Sequence, residues 1–265
     1  MKAYLLAAGL GTRLTPLTES TPKCLLPVGG EPLLGRWLRA CARYGVEEAL
    51  INTHHLAEKV WDYVREAGQR YGVSVRLLHE EILLGSAGTV RAARDFAAGE
   101  ESFFIIYADN ASEVDLGRMA AWHARHEAVM TVGLFRAPRP ERCGIAVVDA
   151  AGLIVDFVEK PAKPGSPWAA AGLFVARAGL FNWLDRAWEE RPPDHPVLDF
   201  GYDVLPRIAA AGEACGYMIE EYLVDIGTPE GYRAADERFL RASPPEGLVL
   251  PSRWRPGVRR QSSHG

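Results

Sequence analysis

Arg13 and Lys23 stand in an otherwise almost uncharged stretch, residues 6–28 (LAAGLGTRLTPLTESTPKCLLPV), where Glu19 is the only carboxylate. The stretch follows a hydrophobic segment ending at Ala7 and opens on Gly9 and Gly11. Glycines let backbone N–H groups approach an anion closely, and oriented amides together with two cations suit phosphate oxygens. The chemistry these residues could do is polyphosphate binding. A dinucleotide fingerprint would need a third glycine where Leu14 stands, and Pro16 interrupts any helix there. The glycine–lysine–serine/threonine triplet of the other common phosphate loop is also missing from this stretch. What the spacing leaves is a long, proline-punctuated loop able to wrap a whole nucleoside triphosphate.

Such a loop has to be held by a sheet. Apolar strand patterns over residues 2–7, 48–53, 73–79 and 103–108 alternate with helical patterns over 33–44, 56–71 and 87–97. That alternation predicts β-α-β units and a doubly wound, mostly parallel α/β sheet, a Rossmann-like architecture. Ligands of such sheets sit at the carboxyl ends of the strands, which puts residues 8–13 and Asp109 on one rim. Further strands are expected over 128–136, 144–149 and 153–159, the last two joined by a turn at 150–152, with another strand beginning at Leu173 and a helix over 180–190. These elements are expected to build a small lobe over the strand ends. After Leu240 the chain becomes proline-rich and ends in arginines, serines and His264, so residues 241–265 are expected to be a frayed tail or an oligomer contact outside a domain of residues 1–240.

At 265 residues and 48% hydrophobic, the chain can bury a substantial core. A net charge of −4 argues against a nucleic-acid or membrane surface, so any phosphate site must be basic only locally. Cys24, Cys41, Cys143 and Cys215 are scattered and read as reduced thiols of a cytoplasmic protein. No signal peptide is apparent at the N-terminus, and no apolar run reaches membrane-spanning length. The pairs His54/His55 and His123/His126 lack further ligands with metal spacing, and Trp183 and Trp188 read as packing residues.

Several motifs in sequence order, from Met1 to Leu240, resemble the sugar-1-phosphate nucleotidyltransferases, or nucleotide-sugar pyrophosphorylases. They are the phosphate loop, LGSAGTV (84–90), YADN (107–110), FVEKP (157–161), FGYDVLP (200–206) and DIGTPEGY (225–232). The pattern is most similar to members that use mannose 1-phosphate and GTP. No hexapeptide repeats follow, so the β-helix of some bifunctional relatives is not expected here.

The resemblance implies transfer of a nucleotidyl group from a nucleoside triphosphate to a sugar 1-phosphate, with Mg²⁺ as cofactor and no nucleic-acid or membrane partner; a homo-oligomer is compatible with it. It implies nucleotide contacts from Leu6, Ala8, Gly9, Gly11, Thr12, Arg13, Lys23, Gly85, Gly88 and Asp109. Gly85 and Gly88 belong to the base-reading loop. Sugar-phosphate contacts fall to Gly144, Glu159, Lys160 and Gly172, and the metal to Asp109 and Asp225, each following an apolar run. Arg13, Lys23 and Lys160 are the implied catalytic cations. Two residues depart from the family pattern: Ala108 replaces a common glycine, and Ala170 replaces an asparagine that touches the sugar in many guanylyltransferase-like members. Heptose or glucose 1-phosphate as acceptor, UTP or dTTP as donor, and a non-catalytic nucleotide-sugar-binding regulatory subunit are the alternatives.

Overall fold

The structure is a computed structural model that describes residues 1–192 and 194–241. The expected tail lies, from residue 242 onward, outside the described residues. The strands are β1 (Lys2–Leu6), β2 (Pro27–Val28), β3 (Glu31–Pro32), β4 (Glu48–Thr53), β5 (Ser74–His79), β6 (Phe103–Tyr107), β7 (Asn110–Ser112), β8 (Met130–Arg136), β9 (Gly144–Val148), β10 (Ile154–Glu159), β11 (Trp168–Ala176), β12 (Ala214–Met218) and β13 (Leu223–Asp225). The helices are α1 (Leu17–Ser20), α2 (Leu33–Arg43), α3 (Ala57–Tyr71), α4 (Ser86–Ala92), α5 (Leu116–Ala124), α6 (Leu180–Glu190), α7 (Leu205–Ala210) and α8 (Pro229–Arg241).

The main sheet has nine strands, with a spine ordered β12-β8-β11-β6-β1-β4-β5. Strands β6, β1, β4 and β5 are mutually parallel, and β8 and β12 are parallel to each other. Within this spine β11 alone runs the other way, antiparallel to both β6 and β8. Both faces of the sheet are covered at its centre, which is why β1 and β6 are almost continuously apolar and not alternating. Ala3, Leu5, Phe104 and Ile106 face a core built with Leu34, Leu38 and Val64 from α2 and α3. Tyr4, Phe103 and Ile105 point the opposite way, onto Val90, Leu184 and Ile208 from α4, α6 and α7.

Two elements differ from the sequence expectation. The pattern over 87–97 is not one helix: α4 stops at Ala92 and a separate 3-10 turn covers Arg94–Ala97. Strand β11 begins at Trp168, well before Leu173. Its small-residue run is irregular, with a register shift between Ala170 and Phe174 around Gly172, whose φ is +66°. A positive φ interrupts the strand pattern and favours glycine. The antiparallel β9–β10 hairpin turns through residues 150–152, as expected, and attaches to β11 at Ala169. Strands β7 and β13 pair Asn110 with Asp225, fixing the segment that follows β6 against a segment far along the chain.

His123, 1% exposed on α5, places Nδ1 2.7 Å from Thr131 Oγ1. Burial, then the neighbouring Arg177 and His126 charges, lower its pKa from 6.5 to about 4. The unfolded chain takes up a proton below 6.5 that the folded chain refuses until about 4, so stability is lost as pH falls through that window. Between pH 7.5 and 5 this group should remove about 2 kcal/mol. In denaturant titrations at the two pH values, His123→Leu should shrink the difference by that amount; an unchanged difference contradicts the assignment.

Candidate active site

The phosphate loop leaves β1 where Ala7 N–H donates to Asn52 Oδ1 (2.6 Å), a contact made possible because Leu6 and Asn52 are register partners in parallel strands. Gly11 adopts φ +66°, and its carbonyl accepts from Leu14 N–H and from the Thr18 hydroxyl, both at 2.9 Å. A side chain at Gly11 would collide with Thr18, so the turn that opens the loop requires glycine. Lys23 lies in a single 3-10 turn, Lys23–Leu25, and is only 6% exposed.

Its ammonium meets Asp109 Oδ2 at 2.7 Å and Asp225 Oδ1 at 3.1 Å. Arg13 approaches the other Asp225 oxygen at 3.8 Å. Asp109 follows the end of β6, and the β7–β13 pairing carries Asp225 to the same point. The Gly227 N–H holds Asp225 Oδ1 at 2.7 Å. Two carboxylates converging on one buried cation form a hard-oxygen donor pair. That pair fits Mg²⁺, which is commonly held by one or two carboxylates with the rest of its shell from phosphates and water. No cluster of three or more His, Cys, Asp or Glu with metal geometry occurs among the described residues.

Two cavities meet here. The first, about 350 Å³, is lined by Leu6, Ala8, Gly9, Lys23, Gly85 and Asp109, and also by Asn52, Glu80, Thr89 and Asp199. The second, about 330 Å³, is lined by Gly144, Glu159, Lys160, Gly172, Asp109 and Asp225, together with Arg142, Ala170 and Tyr202. Tyr107, Asp109 and Asp199 border both.

Most residues singled out in the sequence therefore line one of the cavities. Gly11, Thr12 and Arg13 do not line the first cavity; they belong to the adjoining turn. Gly88 faces away: its N–H donates to Leu198 O at 3.0 Å, and a Cβ there would meet Leu84 and Leu198. Gly85, by contrast, lines the first cavity with φ +82°, and a Cβ there would lie 2.5 Å from Leu198 O. Ala108 is fully buried, and its N–H donates to Leu6 O.

The second cavity is shaped by close approaches. Glu159 is wedged against Gly144 and Gly201, where a Cβ on either glycine would lie 2.4 Å from Glu159 Oε2. A Cβ on Gly172 would lie 2.8 Å from the Tyr107 ring. Burial raises the Glu159 pKa against the opposing pull of Lys160. Lys160 has φ +48° and is half exposed. Burial works to lower its pKa, but the Tyr202 hydroxyl at 3.4 Å and the Glu159 carboxylate at 3.5 Å outweigh it, and the net shift is upward. Lys160 is thus a full cation at neutral pH.

Sequence reasoning missed Asn52, Glu80, Thr89, Tyr107 and Asp199 as lining residues. Asp199 binds the Ser86 hydroxyl at 2.9 Å and the N–H groups of Gly201 and Tyr202, tying the rims of the two cavities together. The histidine pairs are occupied elsewhere: His54 Nδ1 lies 2.7 Å from Glu80 O, His55 Nε2 3.3 Å from Thr18 O and His126 Nδ1 2.8 Å from Trp122 O. Trp183 donates to Glu213, and Arg91 and Arg191 lie over the Trp188 ring.

The sequence profile of the family described as nucleotidyl transferase matches residues 2–241. The chain belongs to that family. Among curated members of known name, mannose-1-phosphate guanyltransferase of Schizosaccharomyces pombe is 30% identical over 235 residues, 88% of this chain. The mannose-1-phosphate guanylyltransferase catalytic subunit beta of Xenopus tropicalis is 28% identical over 244 residues, 91% of this chain. This nucleotidyl transferase family member spans 62% and 65% of those two proteins' lengths. A UDP-glucose pyrophosphorylase solved with UDP-glucose has the same fold, with a TM-score of 0.78 at 21% identity, covering 91% of this chain and 98% of its own. No helix among the described residues is long and apolar enough to cross a membrane.

Proposed function

We propose that this chain, through a catalytic unit of residues 1–240, transfers a nucleotidyl group from a nucleoside triphosphate to a sugar 1-phosphate and releases pyrophosphate. The pair we assign is GTP and mannose 1-phosphate. The observation that carries this reading is the meeting of two cavities at Asp109, one beside the phosphate loop and one beside Lys160, with Lys23 and Asp225 at the junction. A donor and an acceptor bound on either side of that point would each bring a phosphate to it.

The reaction is attack by an acceptor phosphate oxygen on the α-phosphorus, with pyrophosphate as the leaving group. A phosphate monoester has a second pKa near about 6, so its dianion predominates at neutral pH and needs no base. Histidine and cysteine are accordingly not required. What remains is in-line positioning of two anions and neutralisation of developing charge. Arg13 and Lys23 would hold the triphosphate and stabilise the departing pyrophosphate. Lys160, kept cationic by Tyr202 and Glu159, would place the acceptor phosphate. Glu159 and the main chain at Gly144 and Gly172 would meet the sugar. Asp109 and Asp225 would hold Mg²⁺, which when bound supplies charge neutralisation at the phosphates.

The names of the curated relatives support mannose 1-phosphate and GTP. The test is pyrophosphate release from a matrix of nucleoside triphosphates against sugar 1-phosphates with Mg²⁺. Release with GTP and mannose 1-phosphate above all other pairs is expected. Release with another pair would keep the transfer and replace the substrates, whereas silence throughout with folded protein would remove it.

A further inference from the structure

Arg142 lines the second cavity, and among the described residues nothing pairs with its guanidinium. The function proposed above gives it no role. Its backbone, by contrast, is fixed. Arg142 N–H donates to Arg139 O at 3.1 Å and Cys143 N–H to Pro140 O at 3.0 Å, closing the 3-10 turn Pro140–Arg142 just before β9. Cys143 O then accepts from Lys160 N–H at 3.0 Å, directly beyond the register pair Gly144 and Glu159. The β9–β10 hairpin therefore brings two cations, Arg142 and Lys160, to one of its ends and to one cavity.

The charges around that wall show what an unpaired guanidinium there could do. The carboxylates of Asp109, Glu159, Asp199 and Asp225 all border the cavity. Lys23 lies between Asp109 and Asp225, and Lys160 faces Glu159 at 3.5 Å. Beside Arg142 the field is negative. Burial first, then the charges of Glu159, Asp225 and Glu141, push the Cys143 thiol pKa up against the pull of Lys160. A phosphate monoester arrives at neutral pH mostly as a dianion. One lysine already shared with a carboxylate is a weak hold on two negative charges. Two neighbouring cations repel each other when alone and are stabilised once an anion lies between them.

We propose that Arg142 grips the phosphate of the acceptor together with Lys160, an inference that rests on the second cavity being the sugar 1-phosphate site. The two cations are not equivalent. Lys160 is a point charge on a flexible stem, whereas a guanidinium is a planar fork that matches two phosphate oxygens at once. A fork that takes two of the three terminal oxygens leaves the third free to face the α-phosphorus, which is what in-line attack demands. That oxygen forms the new bond to phosphorus as the bond to pyrophosphate breaks, and Arg142 neither gives nor takes a proton. In the sequence Arg142 stands apart from Lys160, and only the pairing of β9 with β10 sets the two side by side.

The experiment compares the full chain with Arg142→Gln and Arg142→Lys. A side chain without partners contributes little to folding, so thermal unfolding should show both variants as stable as the parent. Pyrophosphate release gives kcat and the KM values for GTP and mannose 1-phosphate, and calorimetry gives the affinities for mannose 1-phosphate and for mannose. Arg142→Gln should lower affinity and kcat/KM for mannose 1-phosphate by about 10- to 100-fold, as expected for hydrogen bonds between charged groups. KM for GTP and affinity for mannose should stay at their parent values. Glucose 1-phosphate should lose by the same factor as mannose 1-phosphate, because the residue reads the phosphate and not the sugar. Arg142→Lys should recover part of the affinity but not kcat, since it returns the charge without the fork. Unchanged affinity and kcat/KM for mannose 1-phosphate in Arg142→Gln, or an equal loss for mannose, overturns the proposal while leaving transfer intact. If the unaltered chain releases no pyrophosphate from any pair, transfer is removed instead, and the ratio of mannose 1-phosphate to mannose affinity in parent and variant still decides the role of Arg142.

Discussion

Lys23→Met is expected to lower turnover by about 10²- to 10³-fold, the loss that follows when one preorganised charge proposed to act at a reacting phosphate is removed. Lys23 is 6% exposed and sits where the two cavities meet, so no solvent ion replaces it at the same geometry. The substitution has a second consequence with the opposite sign. The Lys23 ammonium lies between Asp109 and Asp225, at 2.7 and 3.1 Å, and in the free protein its single charge partly offsets the two carboxylates. Methionine keeps the length of the side chain and removes the charge, leaving two like charges close together. Affinity for Mn²⁺ or Mg²⁺ without nucleotide should then rise by about tenfold, equivalent to roughly 1.4 kcal/mol. Thermal unfolding establishes that the variant is folded, steady-state kinetics give the first effect and a metal titration the second. Wild-type turnover in folded Lys23→Met would sink the role given to this residue.

Asp109→Asn should produce a loss of about 10³-fold in turnover, because the carboxylate borders both cavities and supplies half of the hard-oxygen pair proposed for the metal. Here divalent affinity falls, by at least about tenfold, in contrast to Lys23→Met. Nucleotide affinity measured without metal should change little, since Arg13, Lys23 and the glycine turn are retained. Unchanged divalent affinity in Asp109→Asn would contradict the placement of the metal, whatever happens to turnover.

The first half of the fold was legible in the sequence because each element carries its own periodicity. Strands such as Phe103–Tyr107 are continuous apolar runs, and α2 and α3 repeat at helical spacing. The anion-binding character proposed for the loop rests on a local signal, since Gly11, Arg13 and Lys23 lie in one segment. Trp168–Ala176 was only partly legible: alanines and a positive-φ glycine have weak strand preference, and pairing with β6 and β8 determines their conformation. Gly88 shows the limit of motif reading. Its place in LGSAGTV suggested contact with the base, yet the backbone of Leu198, far away in sequence, takes its N–H. Asn52, Glu80 and Thr89 gave no signal at all, because isolated polar residues acquire meaning only once parallel register and the α4 turn bring them together. Asp199 likewise depends on the Ser86 hydroxyl reaching across from another element.

The most direct test of the central claim is a ³¹P NMR time course of the wild-type chain with GTP, mannose 1-phosphate and Mg²⁺. The account predicts that pyrophosphate and a sugar-linked diphosphate appear together, in equal amounts, only when both substrates are present. Pyrophosphate without the acceptor, or bound nucleotide sugar with no pyrophosphate formed in either direction, would contradict it.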